Sequence, residues 1–329
     1  MSKTSAGTTE IEGRNDHRSP SVSLSVIRHS SFVIRHSPFV IRHSSFVIRH
    51  QPPKKKPPSP RATPPPILAP MTPAADYLAK CRAITDTVER QLPEIRQAAQ
   101  WFADTILAGR MVHVFGSGHS RILVEEMWPR YGSFPGWNPI VELSLTFHNL
   151  VVGANGQRQA MFLENVSGLA ERILRNFDLS PQDSALVISS SGCNVVPVEI
   201  AEQFKMRGIR IVAIISRAHS DASTARCADG RKLHDFADLT LDTGAPVGDA
   251  MVKIPGLDTP VAPGSTVGGC MLVNSIKAEV AARLTAAGQP PRVLTAAAIV
   301  GAERATALFE SAYDEHARRL AKLYEKIGA

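Results

Sequence analysis

Two short stretches concentrate the residue types that hold a small anion. The first, Ser189-Ser190-Ser191-Gly192-Cys193-Asn194, lies between an apolar run, Ser184 to Ile188, and a helical stretch, Val195 to Arg207. Its three hydroxyls donate hydrogen bonds without adding charge, and its glycine leaves room for the backbone to approach a ligand. The helix that follows offers free N–H groups and the positive end of its dipole. That set suits a phosphate monoester; a serine-rich turn with a helix N-cap is the plainer alternative. The second stretch, Gly116-Ser117-Gly118-His119-Ser120, also follows a short apolar run, Met111 to Phe115. Glycines after a strand suit a dinucleotide, but Arg121 replaces the third glycine of G-x-G-x-x-G, so the close approach of helix to strand is lost. Glu142, near the end of the next expected strand, keeps that reading open as a ribose-binding acid. No G-x-x-x-x-G-K-[ST] sequence occurs, which excludes a P-loop.

Proton-transfer chemistry needs Glu, Asp or His near such loops. His119 sits within the first loop, and His219 follows an expected core strand in Arg217-Ala218-His219-Ser220. Glu126 lies two turns into the helix after the first loop, while its neighbour Glu125 points elsewhere. Glu164 is expected to open a helix, where the dipole alone favours an acid. Arg121 stands in the first turn of its helix, within reach of a phosphate. His113, inside a strand, reads as a packing residue, and His148 carries no distinct signal. Gly248-Asp249 reads as a turn after the last core strand. Trp128, Phe134 and Trp137 read as core or interface rather than as a platform for a sugar ring.

The elements that must position these residues follow from periodicity. Apolar residues at steps of three or four from Tyr77 to Ile106 predict a long amphipathic helix, kinked or split at Pro93 and ended by Gly109. Such a helix packs either on a partner subunit or over its own sheet. Strands are expected over 111–115, 138–143, 184–188, 209–215 and 237–241. Helices are expected over 121–128, 164–177, 195–207 and 265–287, with a charged helical stretch at 292–329. Apolar strands alternating with helices predict a parallel sheet covered on both faces. In such a sheet a ligand lies at the carboxyl ends of the strands.

Composition adds limits. Eleven of the 37 Lys and Arg and three of the 30 acids fall within residues 1–70, leaving 26 basic and 27 acidic residues beyond. The folded part is therefore near neutral and lacks the basic stripe of a nucleic-acid binder. Residues 26–50 repeat VIRHSSF with one substitution, Pro38, and nine prolines fill 51–70. Near-identical copies point to a translated 21-nucleotide repeat, not to a coiled coil, which varies residues within a heptad. Residues 1–70 are expected to be a low-complexity disordered tail from a mis-assigned start, with Met71 the true start. A basic targeting or nucleic-acid arm is the alternative. Four widely spaced cysteines, 81, 193, 227 and 270, form no C-x-x-C, so neither a structural zinc nor any other metal is expected. No apolar run reaches membrane-spanning length. These features predict a cytoplasmic protein with reduced thiols and no nucleic-acid or membrane partner.

A strand ending in G-x-G-x-S, then a strand ending in S-x-S-G, resembles the SIS (sugar isomerase) domain from about Asp76 to Leu284. More narrowly, VFGSGHS, ISSSGCNVVPVEIA, the AHS at 218–220 and the GDA at 248–250 resemble a bacterial family of sugar isomerase domain proteins. The resemblance implies a flavodoxin-like, Rossmann-like three-layer sandwich around a five-stranded parallel sheet, in a homodimer or homotetramer. It places the domain at 71–290, with 291–329 as a C-terminal helical extension. It implies that Ser189, Ser190, Ser191 and Asn194 hold a phosphate, with Gly192 allowing close approach and Ser117 and Ser120 adding hydroxyls from the first loop. Asn194 replaces a Thr of many relatives and still donates through its amide. The catalytic residues carry over less directly. Phosphoheptose isomerases bring a Gln and a His from the last core helix, where this chain has Thr266 and Asn274, and neither serves as a base. Another branch, the N-acetylmuramic acid phosphate etherases, uses acids, which turns attention to Glu126, Glu142 and Glu164.

The expectation is a cofactor-independent enzyme that isomerises or cleaves a phosphorylated sugar or amino sugar. Glu126 or Glu164 would move protons, and His119 or His219 would assist ring opening. The alternatives are a non-catalytic sugar-phosphate sensor or regulatory subunit and, third, a dinucleotide-dependent enzyme.

Overall fold

A computed structural model describes residues 71–146 and 156–325. The expected tail 1–70, and His148 with it, lies outside the described residues. The helices are α1 Pro73–Glu89, α2 Leu92–Leu107, α3 Arg121–Met127, α4 Leu143–Thr146, α5 Gln157–Leu163, α6 Leu169–Leu174, α7 Val195–Met206, α8 Arg217–Ala222, α9 Leu233–Phe236, α10 Ser265–Ala286, α11 Ala297–Val300 and α12 Ala302–Lys322. The strands are β1 Val112–Gly116, β2 Trp137–Ile140, β3 Ser184–Ile188, β4 Arg210–Ile215, β5 Leu239–Asp242, β6 Ala250–Val252 and β7 Val261–Pro263.

Five strands form the expected parallel sheet, in the order β2-β1-β3-β4-β5. The central strands alternate two apolar sets because both faces are covered. Val112, Val114, Leu186, Ile188, Val212 and Ile214 pack in one core with residues of α2, α3 and α10. Phe115, Ala185, Val187, Ile211, Ala213 and Ile215 pack in the other with residues of α6, α7 and α9. The strand order reverses between β1 and β3, which opens a crevice at the carboxyl ends of those two strands. Both loops singled out above leave the sheet there.

The long N-terminal helix is split. Pro93 falls in the first turn of α2, where its missing N–H costs no helical bond. Gly109, at φ +74°, stops α2 before β1. At the other end of the domain, α10 lies along α2. A Cβ on Gly268 would stand 1.9 Å from the Thr243 carbonyl oxygen, and one on Gly269 would stand 2.4 Å from Leu123 Cδ1. These two glycines let α10 press against the end of β5 and against α3.

Three expectations need correction. The second strand ends at Ile140 rather than Leu143, and Glu142 turns back to accept from Ser144 N and Oγ at 3.2 and 2.9 Å. The helix expected over 164–177 is α6 alone, because Gly168, at φ +82°, breaks the chain and the apolar spacing runs across that break by coincidence. Glu164 therefore opens no helix; it follows the carboxyl end of α5, where the dipole disfavours an anion. The hairpin β6–β7 and the short helices α5, α8 and α9 had no counterpart in the periodicity. The described residues belong to one compact unit, in which α12 sets Tyr313 and His316 on Trp128 at ring-centroid distances of 5.4 and 4.9 Å.

Candidate functional site

A cavity of about 410 Å³ opens at the carboxyl edge of the sheet, over β1, β3 and β4, within the size range of small-molecule sites. Its floor is the loop after β3. Ser189, Ser190, Ser191 and Asn194 all line it. Ser189 Oγ accepts from Gly192 N at 3.2 Å and Ser191 Oγ accepts from Cys193 N at 3.3 Å, so both hydroxyl oxygens are fixed while their protons remain to donate. Ser190 Oγ is buried at the cavity with no protein partner among the described residues. At the start of α7, Val196 N is taken by the Glu164 carbonyl at 2.9 Å, and Pro197 has no N–H. The N–H groups of Asn194 and Val195 are what the helix end has left to offer.

Gly192 does not make room for a ligand. It is absent from the lining, its N–H is spent on Ser189, and a Cβ there would face inward, 3.3 Å from Ile215 Cγ2 and 3.4 Å from Leu233 Cβ. The residue is glycine because φ is +63° and the loop lies flat on the core.

The loop after β1 forms the adjoining wall. Gly116 is required there, since a Cβ would stand 2.8 Å from the Ser120 carbonyl oxygen. Ser117, His119 and Ser120 line the cavity. The Ser117 hydroxyl donates to Glu164 Oε2 at 3.0 Å, so it positions the acid rather than meeting a phosphate. Glu164 is the notable titratable group. Burial pushes its carboxyl above the ordinary carboxylate range, against the pull of the Ser117 hydroxyl, the Asn194 amide and the Arg226 charge. It is brought to the serine loop by α5, which hangs beside the sheet, and by the bond from Val196 N that pins its backbone.

The third wall comes from α8, the hairpin and α10. His219 lines the cavity and its Nδ1 accepts from Gly248 N at 3.1 Å, which puts the ring proton on Nε2. Asp249, at φ +68°, lines it as well. Its Oδ1 accepts from Gly264 N and Ser265 N at 3.0 and 2.7 Å, and its Oδ2 from Ser265 Oγ at 2.7 Å. The hairpin thus caps α10, whose own N-cap is a glycine, and fixes Ser265 and Thr266 at the cavity.

Glu126 stands outside this cavity. Its Oε1 accepts from Arg130 Nε and from Asn274 Nδ2, both at 3.0 Å, at the far end of α3. Five residues along α3 from Arg121, the rise of the helix carries Glu126 about 7.5 Å away from the first loop. Asn274 is drawn off with it, whereas Thr266 remains at the cavity.

The SIS domain family model matches residues 76–216, which span β1 through β4 and both loops. A UPF0309 protein of Geobacillus kaustophilus is 32% identical over 232 residues, 70% of this chain and 86% of that one. This chain belongs to the UPF0309 family. A second member, from Halalkalibacterium halodurans, is 31% identical over 222 residues, 68% of this chain and 89% of that one. Among solved structures, a phosphoheptose isomerase from Neisseria gonorrhoeae aligns over 63% of this chain and 95% of its own, at 14% identity and a TM-score of 0.40.

In this UPF0309 protein, sequence reasoning missed Asp249 and Gln157 as lining residues. Asp249 carried one usable signal: Gly248-Asp249-Ala250 belonged to the family resemblance, yet it was read as a turn. Gln157 carried none, because α5 is seven residues long and has no repeated period.

Proposed function

We propose that this protein binds a phosphorylated sugar or amino-sugar derivative in the cleft and moves a proton on its carbon skeleton, as an isomerase or lyase of the SIS class. The phosphate rests on Ser189, Ser190, Ser191 and Asn194, with Ser120 beside it. Glu164 is the proton carrier. The observation that carries this reading is the pairing of two features in one cavity. One is a loop of hydroxyls and N–H groups with an unpartnered buried Ser190 Oγ. The other is a carboxyl that burial raises against the pull of the Ser117 hydroxyl, the Asn194 amide and the Arg226 charge.

A base that abstracts a proton next to a carbonyl works best with a pKa moved toward the working pH. Burial moves Glu164 in that direction. His219 lines the cavity and, with Nδ1 taken by Gly248 N, keeps Nε2 to donate to a ring or carbonyl oxygen, and His119 stands at the mouth. Glu126 drops out of the catalytic set. The raised acid favours turnover over the sensor reading, since a purely structural carboxylate gains nothing from a raised pKa.

The test is solvent exchange. Phosphosugars are incubated with the full chain in deuterated water, and deuterium at the carbon beside the carbonyl is followed by NMR. Incorporation, or elimination, that disappears in Glu164→Gln supports the assignment. Tight binding without exchange or cleavage points to the sensor. Exchange that survives Glu164→Gln removes Glu164 from the role.

A further inference from the structure

We infer that the cleft selects a phosphosugar bearing a free ammonium group, received between Glu164 and Asp249. The inference rests on the phosphosugar reading above and narrows its substrate class.

The cavity walls present two carboxylates, Glu164 and Asp249, and no Lys or Arg among the described residues that line it. A phosphate monoester brings close to two negative charges into this space. Hydroxyls and N–H dipoles can hold the phosphate itself, but no lining cation offsets its repulsion from the two acids, and the Arg226 charge acts on Glu164 alone. A ligand that is neutral apart from its phosphate meets that repulsion in full. A ligand with an ammonium group relieves it, because the cation lies between the acids and offsets the phosphate within the same molecule.

The acceptor inventory agrees. Asp249 Oδ1 takes two N–H donors and is filled, while Oδ2 takes only the Ser265 hydroxyl and keeps one lone pair open. The Glu164 carboxyl takes the Ser117 hydroxyl and the Asn194 amide, two of the about four donors that a carboxylate accepts. Open acceptors on two acids match an ammonium, which has three N–H donors, better than a hydroxyl, which has one. An acetamido group in the same place has lost the charge and added bulk. An ammonium beside Glu164 also favours the ionised acid, opposing the upward push of burial.

Isothermal titration of the full chain tests this with glucosamine, glucose and N-acetylglucosamine, each as its 1-phosphate and its 6-phosphate. For the phosphate position that binds, the glucosamine ester is expected to bind about tenfold or more tightly than the glucose ester, the scale of one charge-assisted hydrogen bond. The N-acetyl ester is expected to be weaker than glucosamine. In Asp249→Asn, whose Oδ1 can still cap α10, the glucosamine preference is expected to shrink. Equal or tighter binding of the glucose or N-acetyl ester overturns the inference and leaves the phosphosugar reading standing. If none of the six binds while a non-phosphorylated ligand does, the phosphosugar reading falls and this inference falls with it.

Discussion

Each edge of the sheet withdraws a carboxylate from water, Asp183 fully and Glu164 in part, and the two edges treat it in opposite ways. At the amino edge, Asp183 precedes β3 and is bound by Arg110 through Nε and a terminal nitrogen, both at 2.8 Å. His113 Nε2 lies 3.3 Å from its Oδ2, and Asn138 holds the other ring nitrogen of His113 at 2.9 Å. Burial alone would raise Asp183, but the bonds from His113 and Arg110 outweigh it and hold the acid below the ordinary carboxylate range. At the carboxyl edge, Glu164 is held by a hydroxyl and an amide, and burial wins. A carboxylate given a cation is committed to holding the fold. One whose hydroxyl and amide donors, even with the Arg226 charge, do not outweigh burial stays raised, which serves proton transfer rather than stability.

That contrast can be broken at either edge. The largest effect is expected at Glu164. Glu164→Gln should lower exchange or turnover by about 10²–10⁴-fold while leaving thermal stability equal or higher, since an amide removes a buried ionisable group. A coupled loss of stability and activity would show Glu164 to be structural. At the amino edge, Asp183→Ala should cost about 3–5 kcal/mol in denaturant unfolding, because Arg110 loses its counter-charge and His113 its neighbour. It should not weaken ligand affinity in the fraction that folds.

A smaller effect is expected from Gly268→Ala. Its Cβ would overlap the Thr243 carbonyl at 1.9 Å and must push α10 off the end of β5, costing about 1–3 kcal/mol. Thr243, Ser265 and Thr266 line the cavity, so ligand affinity should fall together with stability. Stability lost at unchanged affinity would separate α10 from the site.

The pH dependence sharpens the comparison with the smallest signal. The folded state raises Glu164, so the stability tied to its protonated form is complete below the unfolded pKa and is lost as pH rises through the folded one. Asp183 runs in reverse: its contribution is complete above the unfolded pKa and is lost as pH falls through the lowered folded one. Glu164→Gln should therefore flatten the decline on the neutral side, and Asp183→Asn the decline on the acid side. Stability-pH curves for the two variants that overlay would mean that the two edges are equivalent.

The parts of this molecule that repeat were legible in its sequence. β3, α7 and α10 are long or wholly apolar, and their ends carry Gly208, Gly264 and Gly288, so periodicity and punctuation agree. The serine loop was legible because three hydroxyls sit between a strand and a helix. The acid was found, but for a wrong reason. Glu164 looked like a helix opener since Val166, Leu169 and Ile173 keep helical spacing across the break at Gly168. Its environment comes from residues 47 and 30 positions away, Ser117 and Asn194, which no local pattern reports. Asp249 was illegible as a site residue for a similar reason, as β6 and β7 are three residues each and their pairing is long-range. Glu126 shows the reverse failure. Sequence proximity to the first loop placed it near the site, and the rise of α3 carries it away.

The phosphate loop is tested most directly at Ser190, whose buried hydroxyl has no partner among the described residues. Thermal unfolding of the full chain is compared with Ser190→Ala, each with and without a panel of phosphosugars. Without ligand, the variant should be as stable as the wild type or more so, because an unpaired buried hydroxyl is removed. A phosphosugar at about 100 times its Kd should stabilise the wild type by about 2.7 kcal/mol and the variant by clearly less. Equal stabilisation of both proteins, or stabilisation by NAD and by no phosphosugar, would contradict the account.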